Sequence, residues 1–391
     1  MSDIVERGAI ISGIGISRIG RKTGIPGLDL TAESCTAAIA DAGLTPADID
    51  GIATMGDTPI PEAAAHLGIE HSWTAGGMGR WGLLSPVVNA FGGVGRGEAR
   101  HVLVYRTVQM MGGSVMPEAG PAGEAPARPV ARPAEERGAV MGDVPRLLAA
   151  HAYSAANWLA LHARRHMHLY GTTKEQLGWL ALNSRRNAAL NSRAAYRVPL
   201  TMDEYLSARL ISDPFGLLDC DVPVDGSVAF VVSTADAASD CDHAIRVAAC
   251  GGSSGQGGWD QRADYPKMGS TDAAAEMWSR TDLKPGDVDL AELYDGFTFL
   301  TFAWLEALGF CGDGEAGPFV QGAARIALDG QLPLNTYGGQ LSAGRMHGNW
   351  VLHEACLQLR GQAGERQVQR RDVAVASNGG GPIAGCILLT R

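Results

Sequence analysis

The sequence predicts an α/β protein made of two similar halves, and two observations carry that prediction. Short β-branched runs alternate with long helical patterns rich in Ala and Leu, which is typical of layered α/β proteins. The segment LTPADID at residues 44–50 recurs as LKPGDVD at residues 283–289, a constant offset of 239 residues from Pro46 to Pro285. Both copies follow an Ala-rich helical segment and precede an apolar run, so a duplicated unit is indicated.

The strand predictions follow the β-branched runs, which cover residues 9–12, 101–105, 227–233, 244–248 and 373–376. A Gly-rich turn before a helix also occurs twice, as GRWG at 79–82 and GRMHG at 344–348. Each of these helices leads to a predicted strand. We therefore predict an N-terminal half formed by residues 1–110 and 205–240, and a C-terminal half formed by residues 241–391.

The segment 111–204 fits neither repeat and is predicted to be an insertion. Residues 111–146 are rich in Pro, Ala, Gly and Arg without an apolar period, which favours a lid or partner surface or, equally, a surface loop without order. From residue 151 to 197 the pattern is helical again. We place these helices as a cap on the first half.

Composition and charge restrict the function classes. A chain of 391 residues with 46% apolar residues buries a large core without disulfides or a structural metal, and neither is expected. The net charge of -10 argues against a nucleic-acid partner. Seven cysteines without a CxxC pair favour reduced thiols in the cytoplasm. The start MSDIVERGAIISGIG is unlike a signal peptide, and no long uncharged apolar stretch indicates a membrane span.

Three further stretches resemble the thiolase superfamily, in particular its sterol-carrier-protein and lipid-transfer-protein branch. They are ISDPFGLLDC at 211–220, ELYDGF at 292–297 and LPLNTYGGQLSAGRMHGNWVLHEACLQLRG at 332–361. Together with the two halves, the resemblance covers nearly the whole chain. It implies the thiolase fold, a duplicated five-layered αβαβα arrangement, here with an inserted loop and helical cap whose arginines are candidates for contacts with a CoA phosphate.

The resemblance also implies a site whose reactive residues have changed. Thiolases use a nucleophilic Cys at a helix start in the first half, but this chain has no cysteine between Cys35 and Cys220. The equivalent position is placed at Gly79 or a close neighbour, where covalent transfer through sulfur is excluded. The Asn or His of the N/H-[ED]-x-F loop is replaced by Tyr294, and the terminal Cys of thiolases is replaced by Ser377.

Steroid side-chain-cleaving aldolases of the lipid-transfer-protein type also lack the thiolase nucleophile and carry a Tyr that Tyr294 matches. They cleave a tertiary β-hydroxyacyl-CoA into a ketone and a shorter acyl-CoA. Such a retro-aldol cleavage needs a base for the β-hydroxyl proton and donors for the thioester oxygen. We expect Tyr294 to be the base, with its pKa lowered by Arg345, which replaces the His of the thiolase GHP turn. The aldolases have a second Tyr at that place, so His347 is the candidate for the second role.

Backbone and loop roles complete the predicted site. Asp295 is expected to hold a loop or orient a partner rather than to transfer protons. The amides of Gly379 and Gly380 are candidates for an oxyanion site. Plain structural roles stay open for Tyr294 as a core tyrosine, for His347 as a core or capping histidine, and for the glycines as a simple turn.

Two other function classes also stay open. The chain is either the lyase described above, a degenerate thiolase or acyltransferase subunit in which Ser377 or a partner supplies the chemistry, or a lipid or acyl-CoA binding protein without catalysis. The resemblance implies a homodimer and leaves open a small OB-fold and zinc-ribbon partner. No cofactor is expected beyond the CoA of the substrate.

Several polar residues are interpreted as structural. His162, His166 and His168 indicate a solvated basic helix face rather than a metal site. The aspartates before the strand at 227–233 are interpreted as turn residues, namely Asp219, Asp221 and Asp225.

Overall fold

The computed structural model describes residues 4–56, 58–111, 144–241, 243–255 and 258–391. The strands are β1 (Ala9–Ile16), β2 (Gly51–Thr54), β3 (Trp73–Gly76), β4 (His101–Gln109), β5 (Leu210–Ser212), β6 (Phe215–Gly216), β7 (Asp225–Thr234), β8 (Ile245–Gly252), β9 (Leu290–Glu292), β10 (Val373–Gly380) and β11 (Ile383–Thr390). The helices are α1 (Gly27–Asp41), α2 (Ile60–Leu67), α3 (Ser85–Gly95), α4 (Val144–Ala149), α5 (Ala155–Tyr170), α6 (Lys174–Ala189), α7 (Met202–Leu206), α8 (Gly269–Ser279), α9 (Thr298–Ala307), α10 (Ala316–Val320) and α11 (Asn349–Arg360), with a π-helical turn at Gly339–Ala343. Short 3₁₀ turns include Pro46–Asp48, Leu217–Asp219 and Pro285–Asp287.

The main sheet repeats one topology twice. Its strand order is β3-β2-β4-β7-β1-β8-β11-β10-β9, so β2-β4-β7-β1 of the first half is mirrored by β9-β10-β11-β8 of the second. In each half the first pair, β2 with β4 or β9 with β10, is parallel, and the other pairs are antiparallel. The two halves meet where β1 and β8 pair at Ile10 and Ile11. The predicted duplication is confirmed, and all five predicted strands are present.

The repeated Pro-x-Asp sequence forms the same turn in both halves. Proline fixes the first residue of each 3₁₀ turn, and the aspartate at its end accepts a backbone N–H at 2.8 Å, from Thr45 in one half and Lys284 in the other. The second aspartate of each repeat then fixes the next strand. Asp50 accepts the N–H of His101 at 2.9 Å, and Asp289 accepts the N–H of Val373 at 3.1 Å.

Helices and strands stack in five layers. Helices α3 and α11 form the central layer, and their side chains share one core with both halves of the sheet. Helices α1 and α2 cover the outer face of the first half, and α8 and α9 cover that of the second. The outer helices approach closely because glycine faces them: a Cβ on Gly15 would lie 2.0 Å from the Ser34 carbonyl oxygen, and one on Gly251 would lie 1.9 Å from that of Ala273.

The helical insertion covers the second half, so its predicted position on the first half is wrong. Asn183 and Asn187 on α6 both donate to the carbonyl oxygen of Leu334 at 3.1 Å. Apolar residues of α5 and α6 join the core around α9, whose sequence TFLTFAWLEA is buried on several sides. A helix that is apolar on several sides must also pack against apolar residues on the side that faces away from the sheet, and α5 and α6 of the insertion supply them. The predicted excursion at 111–146 falls almost wholly on residues 112–143, which lie outside the described residues.

The histidines of α5 also differ from the sequence-based interpretation. His162 and His166 are buried, so they do not belong to a solvated face, whereas His168 is exposed. The His166 ring lies 2.7 Å from the Thr172 hydroxyl and 3.0 Å from the Glu306 carboxylate. Burial lowers the pKa of His162 to about 4. Residues four apart share one helix face, and here that face is the apolar one.

Among the helices that the structure describes, none is long and apolar enough to span a membrane.

Asp219 joins the insertion to the second half through a buried carboxylate. Its side chain is fully buried and accepts hydrogen bonds from Lys174 Nζ and Tyr205 Oη, from Thr298 Oγ1 at 2.7 Å, and from the Gly216 N–H at 2.7 Å. Asp219 was predicted to be a turn residue, but its carboxylate also connects the insertion to the second half. A buried carboxylate with this many donors is stable only while all of them are present.

Replacing Asp219 tests this connection. Asp219→Asn is expected to lower the free energy of unfolding by about 3 kcal/mol, because it leaves the largely buried ammonium of Lys174 without a counter-ion. The control is Asp213→Asn, whose carboxylate pairs with Arg164 on an exposed surface. That change is expected to cost less than about 1 kcal/mol. Urea unfolding followed by circular dichroism measures both, and equal losses would contradict the assignment.

Candidate functional site

Four segments meet at the carboxyl ends of β9 and β10. The N–H of Tyr294, two residues after β9, donates to Ser377 Oγ at 3.0 Å. The amide of Asn378 accepts the N–H of Leu83 at 2.9 Å and donates to the carbonyl oxygen of His347 at 2.9 Å. These bonds bring the ELYDGF loop, the two Gly-rich turns and the end of β10 together.

The turn before α3 has no side chain at the place that faces the site. Gly82 has a φ of 60°, and a Cβ there would lie 2.8 Å from Asn378 Oδ1. Gly79 instead donates its N–H to Ser85 Oγ at 2.9 Å. Of these two glycines, Gly82 is the one that faces Asn378. Cys220 pairs with Phe297 of the ELYDGF loop, but burial raises the pKa of its thiol to about 12, which makes it a poor nucleophile.

An ion pair between Asp221 and Arg345 lies beside Tyr294. Arg345 Nη1 is 3.3 Å from Asp221 Oδ1, and the Arg345 N–H donates to the carbonyl oxygen of Val222 at 2.8 Å. The Asp221 N–H donates to the carbonyl oxygen of Gly296 at 3.1 Å. The Asp221 carboxyl is 10% exposed, and burial raises its pKa to about 6 although Arg345 opposes the shift. Asp221 is therefore mostly ionised at neutral pH and accepts a proton readily.

Tyr294 is neutral at physiological pH, so the expected lowering of its pKa is wrong. Burial and the charge of Asp221 raise the pKa of the phenol, and the opposing effect of Arg345 is smaller. Arg345 forms an ion pair with Asp221, so the negative charge of Asp221 offsets the effect of Arg345 on the pKa of Tyr294. The phenol is a hydrogen-bond donor in this site rather than a base.

His347 is also neutral and is held at the turn before α11. Its φ of 51° is left-handed, and Arg106 Nη2 lies 2.8 Å from its Nδ1. Burial, Arg106 and Arg345 together lower the pKa of the imidazole to about 3. Since the guanidinium can only donate, Nδ1 accepts, and the remaining ring proton is on Nε2. His347 therefore belongs to the site but is not an acid at neutral pH.

Asp295 binds backbone, as predicted. Its buried carboxyl accepts the N–H of Gln340 at 2.8 Å and that of Leu341 at 3.4 Å, at the start of the π-helical turn. Burial raises its pKa to about 7, and these hydrogen bonds oppose that shift. Gly339 leaves room for the contact, because a Cβ there would lie 1.9 Å from Asp295 Oδ2.

Gly379 and Gly380 are the last two residues of β10 and pair with Ala384 and Ile383 of β11. The carbonyl oxygen of Gly379 accepts Trp304 Nε1–H at 3.0 Å. A Cβ on Gly380 would lie 2.3 Å from Leu300 Cδ2. Glycine at this position lets the strand pack closely against Leu300 of α9, and the oxyanion role of the two amides stays a prediction.

Sequence reasoning missed Asp221, Arg106 and Asn378. Asp221 was interpreted as a turn residue, although it directly follows the thiolase-like stretch that ends at Cys220. Asn378 follows Ser377, which the motif had already marked. Arg106 carries no sequence signal, because only the fold brings β4 next to the turn before α11.

Comparisons with known proteins assign the chain to a family. Residues 251–388 match the family described as Thiolase C-terminal domain-like. The chain is 33% identical over 402 residues to the steroid side-chain-cleaving aldolase of Thermomonospora curvata, with 98% of both chains covered. The chain belongs to the steroid side-chain-cleaving aldolase family of the thiolase superfamily.

Two further relatives agree with this aldolase family. The 17-hydroxy-3-oxo-4-pregnene-20-carboxyl-CoA lyase of Mycobacterium tuberculosis is 34% identical over 396 residues, covering 97% of this chain and 98% of that protein. A solved structure described as an Ltp2-ChsH2(DUF35) aldolase superposes with a TM-score of 0.87 at 30% identity and covers 99% of both chains. The thiolase fold and the aldolase branch inferred from the motifs are confirmed.

The neutral state of His347 can be measured directly. With histidine rings labelled with ¹³C, the His347 resonance of this aldolase-family protein is expected not to titrate between pH 7.5 and 5, because its pKa is about 3. His347→Gln assigns the signal by its disappearance. A midpoint near the ordinary histidine pKa of about 6.5 would contradict the buried contact with Arg106.

Proposed function

We propose that this protein is an acyl-CoA carbon–carbon lyase that cleaves a branched β-hydroxyacyl-CoA into a ketone and a shorter acyl-CoA. The observation that carries the proposal is the neutral phenol of Tyr294 beside the Asp221–Arg345 ion pair, in a thiolase-fold site whose nucleophile turn has only glycine at Gly82. This combination supports proton transfer and charge stabilisation without a covalent step. The curated names of both full-length relatives describe enzymes of this class.

Asp221 is the base in the proposed reaction. Its ionised carboxylate takes the proton of the β-hydroxyl group, the Cα–Cβ bond breaks, and the β-carbon becomes the ketone carbon. The bond electrons pass to the thioester, which becomes an enolate. The proton held by Asp221 is then delivered to Cα, which completes the shorter acyl-CoA and restores the carboxylate. Arg345 keeps Asp221 ionised before the reaction.

Tyr294 is a donor to the thioester oxygen in this proposal. A neutral phenol can donate a hydrogen bond to the oxygen on which negative charge develops, and such a donor acts most strongly in the transition state. The amides of Gly379 and Gly380 are proposed as further donors. The reaction as written needs no cofactor besides the CoA of the substrate.

The acyltransferase alternative has less support. Ser377 is fully buried, and its Oγ accepts the N–H of Tyr294. Its hydroxyl therefore holds the ELYDGF loop in place and is not exposed to a substrate. A role as a non-catalytic binding protein is opposed by Asp221, whose pKa of about 6 suits proton transfer near neutral pH.

The substrate and the assembly are inferred from the relatives. Both full-length relatives have names that refer to steroid side chains or to a steroid carboxyl-CoA, so a steroid β-hydroxyacyl-CoA is the first substrate to assay. The description of the aligned structure names ChsH2(DUF35) beside Ltp2, which supports a small partner subunit. We further propose a homodimer and, from the seven cysteines, all free in the structure, a cytoplasmic location.

Removing the phenol tests the role of Tyr294. Tyr294→Phe is expected to lower kcat by about 100-fold or more with little change in KM, because the donor acts on charge that develops in the transition state. The assay follows ketone release from a panel of β-hydroxyacyl-CoA esters, with and without a co-expressed partner subunit. Tyr153→Phe, which changes an exposed tyrosine, is the control. Full activity of Tyr294→Phe would exclude the proposed role.

The pH profile tests Asp221. The value of kcat/KM is expected to rise from pH 5 to 7 with a midpoint near the Asp221 pKa of about 6, because the base must be ionised. Arg345→Gln should move the midpoint to higher pH, since Arg345 lowers that pKa. Asp221→Asn should remove the activity. An unchanged midpoint in Arg345→Gln would assign the titration to another group.

A further inference from the structure

Glu292 is a buried carboxyl group at the start of the ELYDGF loop. It is the last residue of β9, two residues before Tyr294, and its side chain is fully buried. Its Oε1 lies 2.6 Å from Thr336 Oγ1 and accepts the Thr336 N–H at 3.0 Å. Among the described residues, no group forms a hydrogen bond with its Oε2 and no cation pairs with it. An ionised carboxylate in such a position is costly.

A second carboxyl group approaches the same hydroxyl. Glu354 on α11 has its Oε1 2.9 Å from Thr336 Oγ1. The guanidinium of Arg366 donates to both oxygens of Glu354, at 3.1 and 3.0 Å. This paired contact is the usual arrangement of a guanidinium with an ionised carboxylate. Glu354 therefore holds the negative charge, and Arg366 is already engaged by it.

The hydrogen bonds around Thr336 indicate which carboxyl group is protonated. Gln358 Nε2 donates to Thr336 Oγ1 at 2.9 Å, and the hydroxyl has only one proton to donate. That proton cannot satisfy two carboxylates at once. A neutral Glu292 removes the conflict, because it donates from Oε1 to the hydroxyl, which in turn donates to Glu354. Burial and the charge of Glu354 favour the same state, since both raise the pKa of Glu292 well above its ordinary value.

The segment that contains Thr336 supports the ELYDGF loop. Besides the contacts of Glu292 with Thr336, the N–H of Leu293 donates to Asn335 Oδ1 at 2.7 Å. The N–H of Asn335 donates to the carbonyl oxygen of Ala291 at 3.1 Å. Through the Thr336 hydroxyl this support extends to α11. The end of β9 and the first residues of the loop are thus fixed on a fully buried polar cluster.

Four other titratable or charged groups surround Glu292. Glu354 lies on α11, Arg366 lies in the 3₁₀ turn Gly364–Arg366, Asp295 lies in the ELYDGF loop, and Tyr337 follows Thr336. Glu354 and Asp295 both raise the pKa of Glu292, and burial keeps Tyr337 neutral. Loss of the Glu292 proton would therefore add a second negative charge beside two carboxyl groups and break the link through the shared hydroxyl.

We propose that Glu292 is a positioning residue that carries a proton and, as a neutral acid, fixes the ELYDGF loop to α11 and so keeps Tyr294 in place. This inference deepens the proposed function, because the phenol of Tyr294 acts only when it is held at the thioester oxygen. A displacement of about 1 Å at a reacting centre can cost about 100-fold in rate. The neutral state of Glu292 itself does not depend on the reaction.

Infrared spectroscopy tests the neutral state without a substrate. The difference spectrum between wild type and Glu292→Gln near pH 7 is expected to show the carbonyl stretch of a protonated carboxyl group, with no loss of carboxylate intensity. The control is Glu204→Gln, which removes an exposed carboxylate bonded to Thr201 and should lose only carboxylate bands. Loss of a carboxylate band in Glu292→Gln would overturn the proposal.

Unfolding at several pH values measures the same proton. In the unfolded chain the carboxyl group ionises with the ordinary glutamate pKa of 4.5, whereas native Glu292 keeps its proton. Unfolding therefore releases one proton, and the stability of the wild type falls as the pH rises above that value. The unfolding constant of wild type relative to Glu292→Gln is expected to rise about tenfold per pH unit between about pH 5.5 and 7.5. A constant ratio would exclude a protonated Glu292.

The position of Tyr294 is tested by a measurement that needs no activity. With tyrosine rings labelled with ¹³C, the Tyr294 resonance, assigned by its loss in Tyr294→Phe, is expected to shift in Glu292→Ala and to shift less in Glu292→Gln. Gln keeps a neutral polar group of the same shape, whereas Ala removes every contact with Thr336. An unmoved resonance in Glu292→Ala would overturn the positioning role. Thr336→Val, which removes the shared hydroxyl, replaces Glu292→Ala if that variant does not fold.

Kinetics separate this inference from the proposed function. Glu292→Ala is expected to lower kcat about 10-fold or more with little change in KM, because Glu292 is buried behind the loop and acts on the position of Tyr294. Glu292→Gln should recover much of that loss, and a Gln variant as slow as the Ala variant would contradict the role of a neutral acid. If the wild type cleaves no thioester, the proposed function fails, while the spectroscopic and unfolding measurements still decide the role of Glu292.

Discussion

The Asp295 carboxyl is the contact on which the site depends. Asp295 binds the amides of Gln340 and Leu341, and so fixes the ELYDGF loop to the π-helical turn. The loop carries Tyr294, and the turn leads directly to Arg345. A shift of this one contact would change the distance between the phenol and the ion pair. Preorganised groups of this kind stabilise charge without rearrangement during the reaction.

Burial and charge together divide the roles among the residues of the site. In a site removed from water, burial penalises every charged form, so Tyr294 and His347 both stay neutral. Asp221 differs because Arg345 compensates part of that penalty. Asp221 thus exchanges a proton near neutral pH, whereas Tyr294 and His347 stay neutral and only donate or accept hydrogen bonds. This division follows from the environment, and the residue types alone do not determine it.

The sequence predicts the architecture well because the turns and strands of each repeat are specified by residues that are neighbours in the chain. The Pro46 and Pro285 turns are specified by neighbouring residues, and so are the β-branched strands. The position of Tyr294 was found through its motif. The direction of its pKa shift was not, because that depends first on the burial of the phenol and then on Asp221, which is distant in the chain. His162 and His166 were misplaced for a similar reason, since the apolar partner of their helix belongs to the other half.

The order of the strands has a consequence for synthesis on the ribosome. β1 is made first, but it lies between β7 and β8, which follow more than 200 residues later. The central layer likewise needs α11, close to the carboxyl end of the chain. The apolar surface of the first half therefore stays exposed until the second half has been synthesised. Contacts between segments that are distant in the chain also form slowly. Newly made chains of this protein are expected to require chaperones until the last strands have emerged.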